Sequence, residues 1–171
     1  SWVVAREGSF SKNPQYRWVS RADVSSGYFK TLEIPLLRGR DFDDRDVATS
    51  PRVAIVCDAL ARSLWPGKDP TGESLALHEP GAKYAPRWIE VVGVVKEVKP
   101  VLSEGGPNPM VYLPVEQGSY AGTVVARGYG SPAQLIRSLR KAVTDADVTA
   151  EISRSGTMTQ AIAEIRYPRR M

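Results

Sequence analysis

The chain is poor in the side chains that usually carry reactions. Among 171 residues there is one cysteine, Cys57, and one histidine, His78. A single cysteine excludes an intrachain disulfide and any multi-cysteine metal site. A single histidine, in the Pro/Gly-flanked segment "LHEPG", gives a hydrolytic triad no evident base, and no G-x-S-x-G turn offers a nucleophile. No apolar run approaches the roughly 18 residues that would suggest a membrane span, and no signal-peptide pattern is present. The segment reads as soluble in itself.

What is abundant is core-forming material. Hydrophobic residues make up 42% and charged residues 25%, with four Trp and seven Tyr, the composition of one ordinary domain or two closely packed subdomains. The formal net charge of +4 comes from 23 basic and 19 acidic residues that are interspersed. That scatter lacks the clustered basic face of a nucleic-acid binder. The one basic cluster is "RYPRR", with Arg166, Arg169 and Arg170, at the end of the sequence.

Periodicity predicts strands in "SWVVAREG", "YRWVSRADVS", "LLRG", "PRVAIV", "ESLAL", "WIEVVGVVKEV", "MVYLPV", "GTVVARG" and "VTAEIS". The most apolar of them, "WIEVVGVVKEV", is expected to be central. A short helix carrying Tyr28, Phe29 and Leu32, capped by Ser25 or Ser26, is expected to stop at Pro35. Asp58 is expected to cap a second helix that buries Leu60, Ala61, Leu64 and Trp65. Ser131 and Pro132 open a third, over 131–144, with Leu135, Ile136, Leu139, Ala142 and Val143 as its stripe. The capping-box pattern "TMTQ" opens a fourth with Met158, Ala161, Ile162 and Ile165 on one side. Strands and helices mix without strict alternation, so the fold class is α+β.

The densest chemistry is "GYFKTLEIPLLRGRDFDDRD", residues 27–46. Asp41, Asp43 and Asp46 imitate a calcium loop in spacing, but the sixth-position glycine and the terminal glutamate of that motif are missing. Interleaved Arg45 would also repel a cation. The acids are therefore expected to pair with Arg38, Arg40 and Arg45 at a solvated edge, with Tyr28, Phe29, Leu32, Leu36, Leu37 and Phe42 beneath and Gly39 relieving a turn. "PGKDPTG" lacks the order of a phosphate loop and reads as a turn. Glu7, Asp23 and Glu90 have no evident reason to converge, and Cys57 reads as a small buried apolar residue.

In order along the chain, "VSSGYFKTLEIPLLRGRDF", "PRVAIVCDALARSLWPGKDPTGESL", "WIEVVGVVKEV", "MVYLPVEQ", "VVARGYGSPAQLIRSLRKAV" and "MTQAIAEIRYPRRM" resemble the MacB-like periplasmic core domain of bacterial ABC transporter permeases (the MacB/FtsX type), in particular the duplicated orphan subgroup known from acidobacteria. The resemblance covers about residues 17–171. It implies a two-lobed periplasmic core domain, with a porter-like lobe of residues 1–34 and 119–171 and an inserted sabre-like lobe of residues 35–118. It further implies a site on the periplasmic side of the inner membrane, between two transmembrane helices, with "RYPRR" next to the lipid. The implied partners are the flanking helices, a cytoplasmic ATPase and a periplasmic protein, with no cofactor and no nucleic acid.

The expected role is non-catalytic: transmitting conformational change, or contacting substrate or partner proteins for export. The excised domain is expected to be a monomer and the intact permease a dimer. Arg38, Arg40, Trp88 and Tyr112 are the candidate partner or ligand contacts. The competing reading is a small-ligand or peptide-binding module with Trp18, Tyr84, Trp88 and Tyr112 around a cleft. A hydrolase with an unrecognised site is the third.

Overall fold

The structure, a computed structural model, describes residues 2–6, 17–78, 87–98, 109–118, 122–149 and 151–166. It divides into two compact units, Ser1–Val125 and Ala126–Met171.

The first unit is built on seven strands: β1 (Trp2–Arg6), β2 (Arg17–Val24), β3 (Leu36–Gly39), β4 (Val53–Cys57), β5 (Ser74–His78), β6 (Arg87–Val95) and β7 (Met110–Pro114). Their order is β3-β6-β4-β7-β2-β1-β5, and a further pairing of β5 with β6 closes six of them into a ring. β6 makes this possible by its length. One edge carries β4 along Glu90–Val95, while the other carries β5 along Arg87–Glu90 and β3 along Gly93–Val95. The strand expected to be central is thus the one with three partners. Closure removes the open edges that an extended sheet would expose.

Period-two alternation sorts the side chains onto two faces. Val4, Val19, Ala54, Val56, Leu75, Ile89, Val91, Val111 and Leu113 form one buried cluster, joined by Leu60, Ala61, Leu64 and Trp65 of helix α2 (Asp58–Leu64) and its C-cap. The expected buried side of α2 is the observed one. The opposite face holds a second cluster, in which Val24, Val53, Ile55, Val92, Val95 and Tyr112 pack with Phe42 and with Phe29 of the one-turn helix α1 (Tyr28–Thr31). Burying each such aliphatic side chain contributes about 1.5–3 kcal/mol before chain entropy is counted.

Gly39 and Gly93 sit opposite each other where β3 meets β6. A methyl group on Gly39 would stand 2.1 Å from the Val92 carbonyl oxygen, and one on Gly93 would stand 2.5 Å from that of Arg40. Gly39 has φ +71°, so it needs glycine for its backbone as well as for the close approach. Its role is strand packing, which is more than relief of a turn.

The second unit contains helices α3 (Pro132–Ala146) and α4 (Met158–Arg166). Pro132 occupies the first turn of α3 as expected. Thr157 and Gln160 form the expected reciprocal capping box: the Thr157 amide donates to Gln160 Oε1 at 2.8 Å and the Gln160 amide to Thr157 Oγ1 at 3.2 Å. Arg140 donates to Ser155 Oγ, tying α3 to the segment before α4.

Several expectations need correction. Residues 122–128 and the described residues of 148–153 join no ladder, so "GTVVARG" and "VTAEIS" are not strands here. A β-rich segment becomes a strand only when a neighbour satisfies its backbone groups. Gly27 and Cys57 occupy the N-cap positions expected of Ser25 or Ser26 and of Asp58, and the Ser131 side chain makes no capping bond. β1 and β2 belong to the first unit's ring of strands, and α3 and α4 to the second unit. Tyr16, Tyr84, Glu7, Arg169 and Arg170 lie outside the described residues.

Candidate functional site

The charged stretch folds into a loop after β3 that is held by its own ions. Arg40 donates to both oxygens of Asp46, at 2.7 and 2.8 Å, and to the Asp41 carbonyl at 3.1 Å. The Asp43 amide donates to the same Asp46 carboxylate at 3.0 Å. Asp46 is 3% exposed, and the guanidinium against it holds its carboxyl below the usual range. Arg45 clasps Asp43 from outside at 2.9 and 2.7 Å, which holds that carboxyl far down as well.

Phe42 lies between these ions, 4% exposed, with its ring centroid 6.4 Å from that of Phe29. Leu36 and Leu37 were expected beneath the loop but are 40% and 48% exposed, since β3 is an edge strand that pairs only with β6. A concavity of about 210 Å³ beside the loop is lined by Ser26, Phe42, Asp43, Asp44, Val47 and Glu116.

The four expected contact residues separate. Arg38 is exposed and reaches Asp69 only at 3.9 Å. Arg40 is engaged with Asp46. Tyr112 is buried, edge-on to Phe29 at 4.9 Å, and burial pushes its hydroxyl pKa up. It belongs to the core. Trp88, by contrast, is 46% exposed, and Trp18 is 63% exposed. Trp18 pairs with Val3, and Trp88 with Ala76, itself opposite Ala5, so both indoles stand on the same face of β2-β1-β5-β6.

The candidates for catalysis are far apart in kind. Cys57 is buried at the end of β4, accepts a hydrogen bond from the Met110 amide, and has its thiol pKa raised by burial, the reverse of an activated nucleophile. His78 is the half-buried last residue of β5, a strand position where a flexible loop was expected. Asp23 is taken by Arg21 through two bonds of 2.8 Å. Among the described residues no group of three or more His, Cys, Asp or Glu could hold a metal ion.

Gln117 was missed by sequence reasoning, and its buried side chain is held by hydrogen bonds on both its nitrogen and its oxygen. Its amide nitrogen donates to the carbonyls of Val47 and Pro51 and to Ser50 Oγ, and its oxygen accepts from the Val53 amide. It fixes the far end of the charged loop to the start of β4.

The ring of strands with α2 against it, the glycine contact and the loop clasped by its own ions fall on the quoted motifs in order, and a family model, the MacB-like periplasmic core domain, matches residues 2–166. The chain belongs to this family. In Bacillus subtilis (strain 168), a protein described as an uncharacterized ABC transporter permease, YknZ, is 28% identical over 80 residues, 47% of this chain and 18% of that protein. The periplasmic region of MacB from Actinobacillus actinomycetemcomitans superposes with a TM-score of 0.58 at 14% identity, covering 84% of this chain and 62% of that one. The extracellular domain of the noncanonic ABC-type transporter YknZ gives 0.50 at 21% identity, covering 88% and 74%.

The likeness to these structures is one of fold. The MacB-like periplasmic core domain places this chain on the outer face of the membrane, as part of a permease. No described helix is long and apolar enough to cross a membrane.

Proposed function

We propose that this domain works as a non-catalytic mechanical and docking element of its parent ABC transporter permease, carrying conformational change between the membrane and a periplasmic partner or substrate. Family membership over residues 2–166 is the observation that carries the reading. A ring-closed strand unit transmits displacement as a body, because closely packed cores shift between discrete arrangements more readily than they deform. In this reading a porter-like lobe and a sabre-like lobe divide the work, a cytoplasmic ATPase drives the movement, the intact permease is a dimer and the isolated domain a monomer. Arg38, at the exposed edge of β3, is the proposed partner contact of the charged stretch.

The test uses the reconstituted parent permease with spin labels at Asp44→Cys and Ser138→Cys in an otherwise cysteine-free background. Addition of ATP and the cognate ATPase is expected to shift the distance distribution. Identical distributions in the nucleotide-free and nucleotide-bound states would sink the transmission reading.

The shared face of Trp18 and Trp88 favours a second reading, a small-ligand or peptide-binding module. Thermal-shift measurements across peptide, lipid and antibiotic panels separate the two. Binding that Trp18→Ala and Trp88→Ala abolish supports it, and flat melting curves across the panels dismiss it.

A further inference from the structure

β6 is longer than any strand that pairs with it, and β3 takes up the edge that β5 leaves. β5 covers that edge at Arg87–Glu90 and β3 covers it at Gly93–Val95. β3 therefore stands outside the ring with one side paired, and all four of its residues, Leu36–Gly39, are exposed. The pairing fixes where its backbone groups point. Leu36 lies opposite Val95, and next to that pair the Lys96 amide donates to the Pro35 carbonyl at 2.9 Å. An antiparallel position flanked in this way is a non-hydrogen-bonded one, so the N–H and C=O of Leu36 point away from β6. Among the described residues no backbone hydrogen bond from outside the ladder reaches Leu36–Gly39. Such an edge is a template for another strand.

The side chains of this edge divide by face. Arg38 lies opposite Val94, and the exposed Lys96, two residues further on, continues that face. Leu36 lies on the other face, its Cδ1 standing 3.3 Å from where a methyl group on Gly93 would be. Leu37, the extra residue of a bulge between Leu36 and Arg38, is exposed as well. Asp69 reaches Arg38 only at 3.9 Å, with both side chains more than half exposed, a contact worth little in water.

These charges choose among occupants. A second copy docked through the same edge would bring Arg38 and Lys96 of both copies to one short ladder, where like charges repel. A lipid headgroup would answer the cations but not the strand edge. An extended segment of a partner protein answers both, provided that acidic side chains alternate with apolar ones along it.

We infer that the outer edge of β3 takes up an extended strand of a partner protein, one whose acidic side chains face Arg38 and Lys96 and whose alternate, apolar side chains cover Leu36. Main-chain bonds to Leu36 hold the strand, and the charges select it. The bulge and the arginine, devices that discourage indiscriminate edge pairing, restrict the edge to that pattern. The inference rests on the reading of Arg38 as a partner contact and adds how the partner binds; it is independent of the transmission reading.

Nuclear magnetic resonance titration of the 171-residue chain tests it with three blocked peptides: valine alternating with glutamate, valine alternating with lysine, and the glutamate peptide with an N-methylated backbone. The glutamate peptide is expected to shift the amide signals of Leu36–Arg40 and to slow hydrogen exchange at the Leu36 amide. The lysine peptide is expected to bind more weakly by about fivefold or more, and Arg38→Glu to reverse that order. Signals of Leu36–Arg40 that stay in place up to the solubility limit of the glutamate peptide overturn the inference. So does slow exchange at Leu36 without peptide that slows further as protein concentration rises, which makes a second copy the occupant. Equal binding of the glutamate and lysine peptides overturns the charge pattern. Equal binding of the N-methylated peptide sinks strand addition while leaving Arg38 as a contact, which keeps the two readings apart.

Discussion

Arg40 and Asp46 are joined by two parallel hydrogen bonds of 2.7 and 2.8 Å across a six-residue separation, with the acid 3% exposed and the arginine side chain 36% exposed. The pair closes the loop that leads from β3 toward β4. Removing either partner leaves the other poorly solvated. Arg40→Ala and Asp46→Ala are each expected to lower unfolding free energy by about 2 kcal/mol, the aspartate change less because water reaches the guanidinium that it leaves behind. In urea titrations the double variant should lose clearly less than the sum of the two. Additive losses would show that the pair is not an energetic unit.

The same pair sets an acid limb. Asp46 has a lower pKa folded than unfolded because Arg40 binds its charged form, so the unfolded chain takes up more protons in acid. The stabilisation is complete above the ordinary carboxylate pKa of about 3.9 and is lost as pH falls from there through the folded-state value. The stability gap between the natural chain and Asp46→Asn should be constant from neutral pH to about pH 5 and shrink below about pH 4. A gap that does not change down to the acid transition would contradict this assignment.

Gly39 and Gly93 admit no side chain. Gly39→Ala must bring its methyl group against the Val92 carbonyl, where the present separation would be 2.1 Å, and must hold a positive φ. A loss of about 3 kcal/mol or more is expected, with Gly93→Ala of similar size. Circular dichroism melting of both variants checks it, with Gly67→Ala as the control at a position where φ is also positive, +73°, but space is open. Only the strain of that φ should register in the control.

Gln117→Ala is expected to cost about 2–3 kcal/mol, since it strands a buried Val53 amide and frees the Val47–Pro51 turn. Hydrogen exchange should show the loss first at the Val53 amide. Gln117→Glu keeps the acceptor but sets a carboxylate oxygen against the Val47 and Pro51 carbonyls, so it should cost at least as much as Gln117→Ala.

Cys57 should react with an aromatic disulfide reagent only after unfolding, because burial both shields the thiol and raises its pKa. Reaction in native buffer at the rate of an exposed thiol would show that the end of β4 opens.

The elements legible in the sequence were those whose pattern and partner are both local. Leu60, Ala61, Leu64 and Trp65 declared α2 by spacing, and the Thr157–Gln160 box declared the start of α4. The β-branched run of β4 was read correctly because it is buried on both faces and so apolar throughout. The segments 122–128 and 148–153 carry the same kind of residues, yet their described residues are not strands, because pairing depends on a neighbour that no local pattern encodes. Leu36 and Leu37 misled for a related reason: their exposure follows from the position of β3 outside the ring.

For the charged stretch, residue types alone limited the chemistry to ion pairing. Its acids lack the sixth-position glycine and terminal glutamate of a calcium loop, and the chain has no second histidine or cysteine to build a reactive group with. Which ions pair was decided by tertiary structure. Asp46 is buried under Arg40, whereas Asp43 is paired with Arg45, whose side chain stays in water. The ring closure through β5 and β6, the meeting of Gly39 with Gly93 and the anchoring of Gln117 are likewise contacts between distant parts of the chain. Sequence supplied the groups able to make them, and only the packing of strands far apart in sequence determined which ones meet.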